Sequence, residues 1–124
     1  MRALFFTAMI SLAFPVLSCG YCVEDKIAAV YDHAALAQAQ ARKLTTVYFA
    51  IDGAIRAPAS TLKTMLERTK GVQKGSARLS VESAALAVTF DPKLTSLPAV
   101  QSALEKALRP RGLELLLLDT KEGP

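Results

Sequence analysis

The sequence has 124 residues, of which 52% are hydrophobic and 21% charged, and its formal net charge is +4 at pH 7. A chain of this length fits one small domain with one core once any leader segment is set aside. The charge is mildly positive, and no dense run of Lys and Arg is interleaved with aromatic residues, so the composition argues against a nucleic-acid-binding protein.

The N-terminus predicts a secretion signal over residues 1–18. Arg2 gives a positive start, and an uncharged apolar run from Ala3 to Phe14 ends at Pro15. The apolar run is too short for a membrane-spanning helix, which needs about 20 residues. We therefore expect an exported protein, either in the bacterial periplasm or anchored to a membrane as a lipoprotein.

The cleavage point of this signal allows two mature proteins. Val16-Leu17-Ser18-Cys19 resembles the lipobox of bacterial lipoproteins, in which Cys19 is acylated and anchors the protein to a membrane. Val16 and Ser18 also suit ordinary signal peptidase, which would leave Cys19 as a free thiol beside Cys22. The sequence leaves both alternatives open.

Residues 19–43 combine a Cys-x-x-Cys motif with a predicted helix. The stretch from Val23 to Arg42 contains no Gly or Pro, and its apolar residues recur at helical spacing. The pattern predicts one continuous helix of about five turns with an Ala-rich stripe. We expect it to lie outside the core of the domain that follows.

Residues 45–119 predict the order βαββαβ, with residues 120–124 as a tail. The predicted strands are Thr45–Ile51, Ser76–Glu82, Ala85–Phe90 and a buried Leu113–Asp119, and the predicted helices begin at Pro58 and Pro98. This order is typical of an α+β, ferredoxin-like fold: four antiparallel strands with two helices on one face, here preceded by the N-terminal helix.

The predicted core of this domain draws on several elements. We expect side chains of the first and third strands and of the last helix to meet between the sheet and the helices. They are Val47, Phe49, Leu86 or Val88, Val100 and Leu104.

Four short stretches carry a resemblance to a known family. They are Ile51-Asp52-Gly53, the helix end Lys70-Gly71-Val72, the strand Leu86-Ala87-Val88-Thr89-Phe90-Asp91-Pro92, and Val100 to Leu108 followed by Gly112-Leu113. Together they resemble the heavy-metal-associated domain of copper chaperones and metal-transporting ATPases. The resemblance covers about Thr45 to Leu118. It implies a ferredoxin-like fold, soft-metal binding without enzymatic activity, and a membrane-bound metal transporter or another protein as partner.

The resemblance fails where that family binds its metal, in a Met-x-Cys-x-x-Cys loop after the first strand. Here Ala54 stands at the methionine position, and Arg56 and Ala59 stand at the two cysteine positions. None of these side chains offers a ligand for copper or zinc. The family's metal site is therefore not carried over to this loop.

The predicted metal ligands are instead Cys19 and Cys22. Two thiolates at this spacing can reach one ion, and soft sulfur favours Cu(I) and Zn(II). We expect the start of the following helix to lower the pKa values of both thiols. His33 lies 11 residues beyond Cys22, about 16 Å along a helix, so we expect it to be a partly exposed histidine beside Asp32 and not a ligand.

Two other functions remain open at this stage. One is a metal-free lipoprotein that is anchored at Cys19 and binds a protein partner through an open strand edge. The other is a thioredoxin-like oxidoreductase, in which Cys19 attacks and Cys22 resolves the mixed disulfide. The only candidate for the strand it needs before the motif is a retained signal peptide, Leu4 to Leu17, and we find no convincing strand followed by a cis-proline. Asp52 and Asp91 have the sequence context of turn residues, so no hydrolase site is predicted and we expect the protein not to be an enzyme.

Overall fold

The computed structural model describes the backbone of residues 16–122 and the side chains of residues 23–122. Residues 1–15, which hold most of the predicted secretion signal, lie outside the described residues. The elements in chain order are α1 (Val16–Val30), α2 (His33–Ala41), β1 (Thr45–Asp52), α3 (Ala59–Glu67), β2 (Arg78–Ser80), β3 (Ala85–Phe90), α4 (Leu97–Leu108), a 3-10 turn (Arg109–Arg111) and β4 (Glu114–Lys121).

The four strands form one antiparallel sheet in the order β2-β3-β1-β4. In this sheet β1 lies between β3 and β4, with Val47 opposite Val88 and Phe49 opposite Leu117. Helix α3 connects β1 to β2, and helix α4 connects β3 to β4, so each crossover contains one helix. The predicted ferredoxin-like α+β fold is confirmed.

The main core lies between the sheet and helices α3 and α4. Alternate residues of β1 and β3 point into it because successive side chains of a strand face opposite sides of the sheet. The predicted core residues are all buried there: Val47, Phe49, Leu86, Val88, Val100 and Leu104. Ser96 caps α4 by accepting a hydrogen bond from the Ala99 backbone N–H at 3.4 Å, which fits the predicted start of this helix.

The prediction of one continuous helix from Val23 to Arg42 is wrong, because the chain breaks between α1 and α2. At the break Asp32 is extended (φ −139°, ψ 109°), and its Oδ1 accepts a hydrogen bond from the Ala35 N–H at 3.0 Å. This bond lowers the pKa of Asp32. A side-chain cap of this kind starts a new helix, and the apolar period that continues across the break concealed it.

Helices α1 and α2 cover the second face of the sheet. Ile27 and Val30 pack against Tyr48, Ala85 and Ala87, which lie on the face opposite the main core. The two helices therefore lie outside the main core, as expected, but they form a third layer and a second apolar cluster of their own.

Two hydrogen bonds from positive side chains hold α1 on this face. Lys26 Nζ donates to the backbone carbonyl of Ser83 at 2.5 Å, and Arg78 Nε donates to the carbonyl of Val30 at 3.1 Å. The second bond satisfies a carbonyl at the C-terminal end of α1, where backbone oxygens lack partners within the helix.

Strand β4 is an edge strand, so the prediction that it is buried is wrong. The side chains of Leu116 and Leu117 are 63% and 41% exposed. The register against β1 shifts between Leu117 and Asp119, which leaves Leu118 as the extra residue of a β-bulge. A bulge is one of the features that limit unwanted pairing of an edge strand.

Candidate functional site

The two cysteines lie on α1, but their side chains are outside the described residues. The described part of α1 starts at Val16, so Cys19 and Cys22 are inside the helix and do not precede it. This placement differs from the predicted one, in which the helix began after the motif. The assignment of Cys19 and Cys22 as metal ligands stays a prediction.

His33 lies far along the chain from the cysteine pair. It is the first residue of α2, it is exposed, and its Nδ1 lies 3.2 Å from the hydroxyl of Tyr31. The eight residues from Cys22 to Val30 extend α1 by about 12 Å, and His33 follows the break at the far end. The helix break therefore does not bring His33 to the cysteine pair.

Three positions that correspond to the metal ligands of the heavy-metal-associated domain, which the sequence resembles, lie in the loop between β1 and α3 and at the start of α3. Ala54 and Arg56 are exposed in this loop, and Ala59 is the first residue of α3. Methyl groups have no lone pair, and a guanidinium stays cationic, so these side chains cannot bind a metal ion.

The described part of the chain contains neither a cluster of metal-binding side chains nor a helix that could span a membrane. Among residues 16–122, no three His, Cys, Asp or Glu side chains that the structure places converge to form a metal site. Within the same range no helix is both long and apolar enough to cross a bilayer.

Asp91 is a turn residue, as the sequence indicates. Its Oδ1 accepts a hydrogen bond from the Lys93 backbone N–H at 2.9 Å directly after β3. A carboxylate that bonds the backbone two residues ahead stabilises a turn and needs no catalytic role.

Tyr48 is a buried polar residue that the sequence analysis did not identify. It lies on the face of β1 that α1 covers, and its hydroxyl has no hydrogen-bond partner among the described residues. Burial raises the pKa of Tyr48, and the nearby Arg78 opposes that shift. The alternation of β1 could have placed Tyr48 opposite the core, but only the position of α1 shows that it is covered.

No family model matches the sequence, and no curated protein matches it. Solved structures do resemble its fold. One is a copper binding domain from HMA7, a P-type ATPase, with 22% identity and a TM-score of 0.49, over 62% of this chain and 97% of that one. Another is oxidized MerP from Ralstonia metallidurans, with 25% identity and a TM-score of 0.48, over 61% of this chain and 99% of that one.

A third similar structure is the N-terminal domain of a potential copper-translocating P-type ATPase from Bacillus subtilis. It shares 23% identity at a TM-score of 0.48, over 63% of this chain and 91% of that one.

Proposed function

We propose that this protein is an exported metal-binding protein that holds one soft metal ion, Cu(I) in the first place, through the thiolates of Cys19 and Cys22. The observation that carries the proposal is that both cysteines belong to one helix, α1, and are three residues apart. Positions i and i+3 of a helix have Cβ atoms about 5–6 Å apart. Two sulfurs that each lie about 2.3 Å from one ion are at most about 4.6 Å apart, so the pair can share an ion without unwinding the helix.

The number of ligands favours Cu(I) over zinc. Structural zinc sites are almost always four-coordinate, whereas His33, the other strong candidate ligand in the sequence, lies beyond the far end of α1. Thiolate is a soft ligand that selects Cu(I). With two thiolates and no third ligand from His33, a low-coordinate Cu(I) site is the better fit.

In this proposal the ferredoxin-like domain is the scaffold to which α1, the helix with both cysteines, is attached. It resembles the heavy-metal-associated domain in sequence from about Thr45 to Leu118 but lacks ligands at Ala54, Arg56 and Ala59. We infer that the metal site has moved from that loop to α1. A role in metal transfer or homeostasis follows, with a membrane-bound metal transporter or another protein as the receiver of the ion.

The test is a Cu(I) competition assay with the full chain produced in an exporting bacterial host. The parent should take about one Cu(I) from a chromophoric chelator, and Cys19→Ser/Cys22→Ser should lose this tight binding while keeping its circular dichroism spectrum. Affinity should fall as the pH falls, because protons compete for the thiolates. Arg56→Ala is the matched control and should bind Cu(I) like the parent, since a guanidinium offers no lone pair.

The results also separate the alternative functions. Equal Cu(I) affinity in the parent and the double serine variant would show that the pair is not the site. A mature mass that includes diacylglycerol on Cys19 would remove the thiol pair and leave the metal-free lipoprotein. Rapid exchange with small disulfides, combined with no Cu(I) uptake, would indicate the oxidoreductase. A thioredoxin-like oxidoreductase needs a strand before its Cys-x-x-Cys motif and a cis-proline beside it. The described residues contain no strand before β1 and no cis peptide bond.

A further inference from the structure

One end of the sheet brings two distant segments into direct contact. Gly53 follows β1 with φ +116°, and a Cβ atom placed on it would lie 2.5 Å from the carbonyl oxygen of Gly112. Only glycine allows this approach of two backbones. The loop after β1 is therefore held against the turn that leads into β4, although the two glycines are far apart in sequence.

A small cavity lies between these two segments. Its volume is about 210 Å³, and its lining includes the apolar side chains Ile55, Leu62 and Leu113 together with Arg56 and Arg111. Leu62 and Leu113 are almost fully buried, with 0% and 3% exposure, so the apolar part belongs to the edge of the core. Both arginines are exposed.

Neither guanidinium group forms an ion pair among the described residues, and the carboxylates at this end of the sheet, Asp52 and Glu114, lie opposite each other in the pairing of β1 with β4. No Asp or Glu lines the cavity, and the ion pair found within the described residues joins Lys121 to Asp119 at 3.3 Å. Two positive charges beside one cavity repel each other. An anion placed between them would relieve this repulsion and accept their hydrogen bonds.

We propose that this cavity binds a small organic carboxylate, with the carboxylate held by Arg56 and Arg111 and a short alkyl group against Ile55 and the accessible edge of Leu113. Guanidinium pairs with a carboxylate through two parallel hydrogen bonds, and these charge-assisted bonds are stronger than neutral ones. The apolar lining adds burial of a few methylene groups. The volume is below the roughly 300 Å³ at which pockets for drug-sized ligands begin, so the ligand is a short acid.

The probe for the test is pentanoate, titrated into the full-length chain and followed by amide chemical shifts. Shifts should appear at residues 54–57 and 111–113, with a dissociation constant in about the millimolar range expected for so small a ligand. Arg56→Ala/Arg111→Ala should weaken binding by about tenfold or more, since the variant loses the charge-assisted hydrogen bonds of both guanidinium groups. Arg68→Ala, which removes an exposed arginine that does not line this cavity, should bind like the parent.

Two further ligands test the two parts of the cavity. Pentanol has the same alkyl chain without the charge, and inorganic phosphate has the charge without the chain, so both should bind at least about tenfold more weakly. Equal binding of either, no shifts with pentanoate, or unchanged affinity in the double alanine variant would overturn the proposal. Cys19→Ser/Cys22→Ser should bind pentanoate normally, so a failure here is distinct from a failure of the metal proposal.

Discussion

The hydroxyl group of Tyr48 is fully buried beneath α1 and has no partner among the described residues. A buried polar group without a hydrogen bond costs about 1–3 kcal/mol. Tyr48→Phe removes that group and keeps the ring, so the free energy of unfolding should be unchanged or raised by up to about this amount. Urea unfolding near pH 7 measures it, and Tyr31→Phe, which alters an exposed tyrosine, should change little.

The same residue predicts how stability responds to alkali. Burial raises the pKa of Tyr48 above its ordinary value of 10.0, so the unfolded chain releases this proton at a lower pH than the folded chain does. Ionisation of Tyr48 therefore leaves the free energy of unfolding unchanged below pH 10 and lowers it as the pH rises above that value. Tyr48→Phe should lose less stability than the parent above pH 10. An equal loss in both proteins would show that Tyr48 does not contribute.

At the scale of elements, the contact between the loop after β1 and the turn before β4 depends on Gly53. Gly53→Ala should destabilise the fold because a methyl group would meet the Gly112 carbonyl at 2.5 Å. Gly75→Ala is the matched control: Gly75 also has a positive φ (+78°), but nothing lies within 4 Å of its added Cβ. Both variants carry backbone strain of about 1–2 kcal/mol.

Only Gly53→Ala adds the clash, which should cost about 1–3 kcal/mol more. Urea unfolding of the two variants gives the difference directly. Pentanoate binding should also weaken in Gly53→Ala and not in Gly75→Ala, because only the first displaces the segment with Arg56. Equal stability of the two variants would mean that the loop moves away from Gly112 at no cost.

Much of this element pattern was accessible from sequence, because period-two alternation places Val47, Phe49, Leu86 and Val88 on one face and the cap at Ser96 starts α4. Two features were not accessible. One is the exposure of Leu116: a run of leucines is compatible with a central and with an edge strand, so this exposure could be predicted only once the strand order was known. The other is the helix break at Asp32, which the sequence concealed because alanine residues continue the helical period across the cap.

The two candidate sites also differ in whether the sequence could indicate them. The cysteine pair is a local pattern, visible in the sequence, although its role as a metal site is still a prediction. The cavity with Arg56 and Arg111 joins residues that only the fold brings together, so no local pattern could have indicated it.

For the whole molecule, the question is how much the layer of α1 and α2 contributes to stability. Apart from the ring of Tyr48, the sheet face beneath it carries mainly small or polar side chains, among them Thr46, Ala85, Ala87 and Thr89. The hydroxyls of Thr46 and Thr89 lie 3.0 Å apart and bond each other across the strands. A face of this composition tolerates water, whereas the opposite face, with Phe49 and Leu86, does not.

We therefore predict that deleting Cys19 to Lys43 lowers the melting temperature less than Leu104→Ala does. Leu104 is 0% exposed in the main core, and its truncation should cost about 2–5 kcal/mol, a large part of the stability of a small domain. Leu94→Ala is the control, since Leu94 is 83% exposed and should stay within about 0.5 kcal/mol of the parent.

The deletion variant also restores contact between water and the Tyr48 hydroxyl, which offsets part of the lost apolar burial. The melting temperatures of the three variants, measured by circular dichroism, show how much each layer contributes to stability. A deletion variant that melts above Leu104→Ala supports a chain divided into a cysteine-bearing extension, residues 19–43, and a self-sufficient domain, residues 45–119. Loss of cooperative melting in the deletion variant would show that α1 and α2 belong to the folding unit, and that the metal-binding helix is part of the domain and not an extension of it.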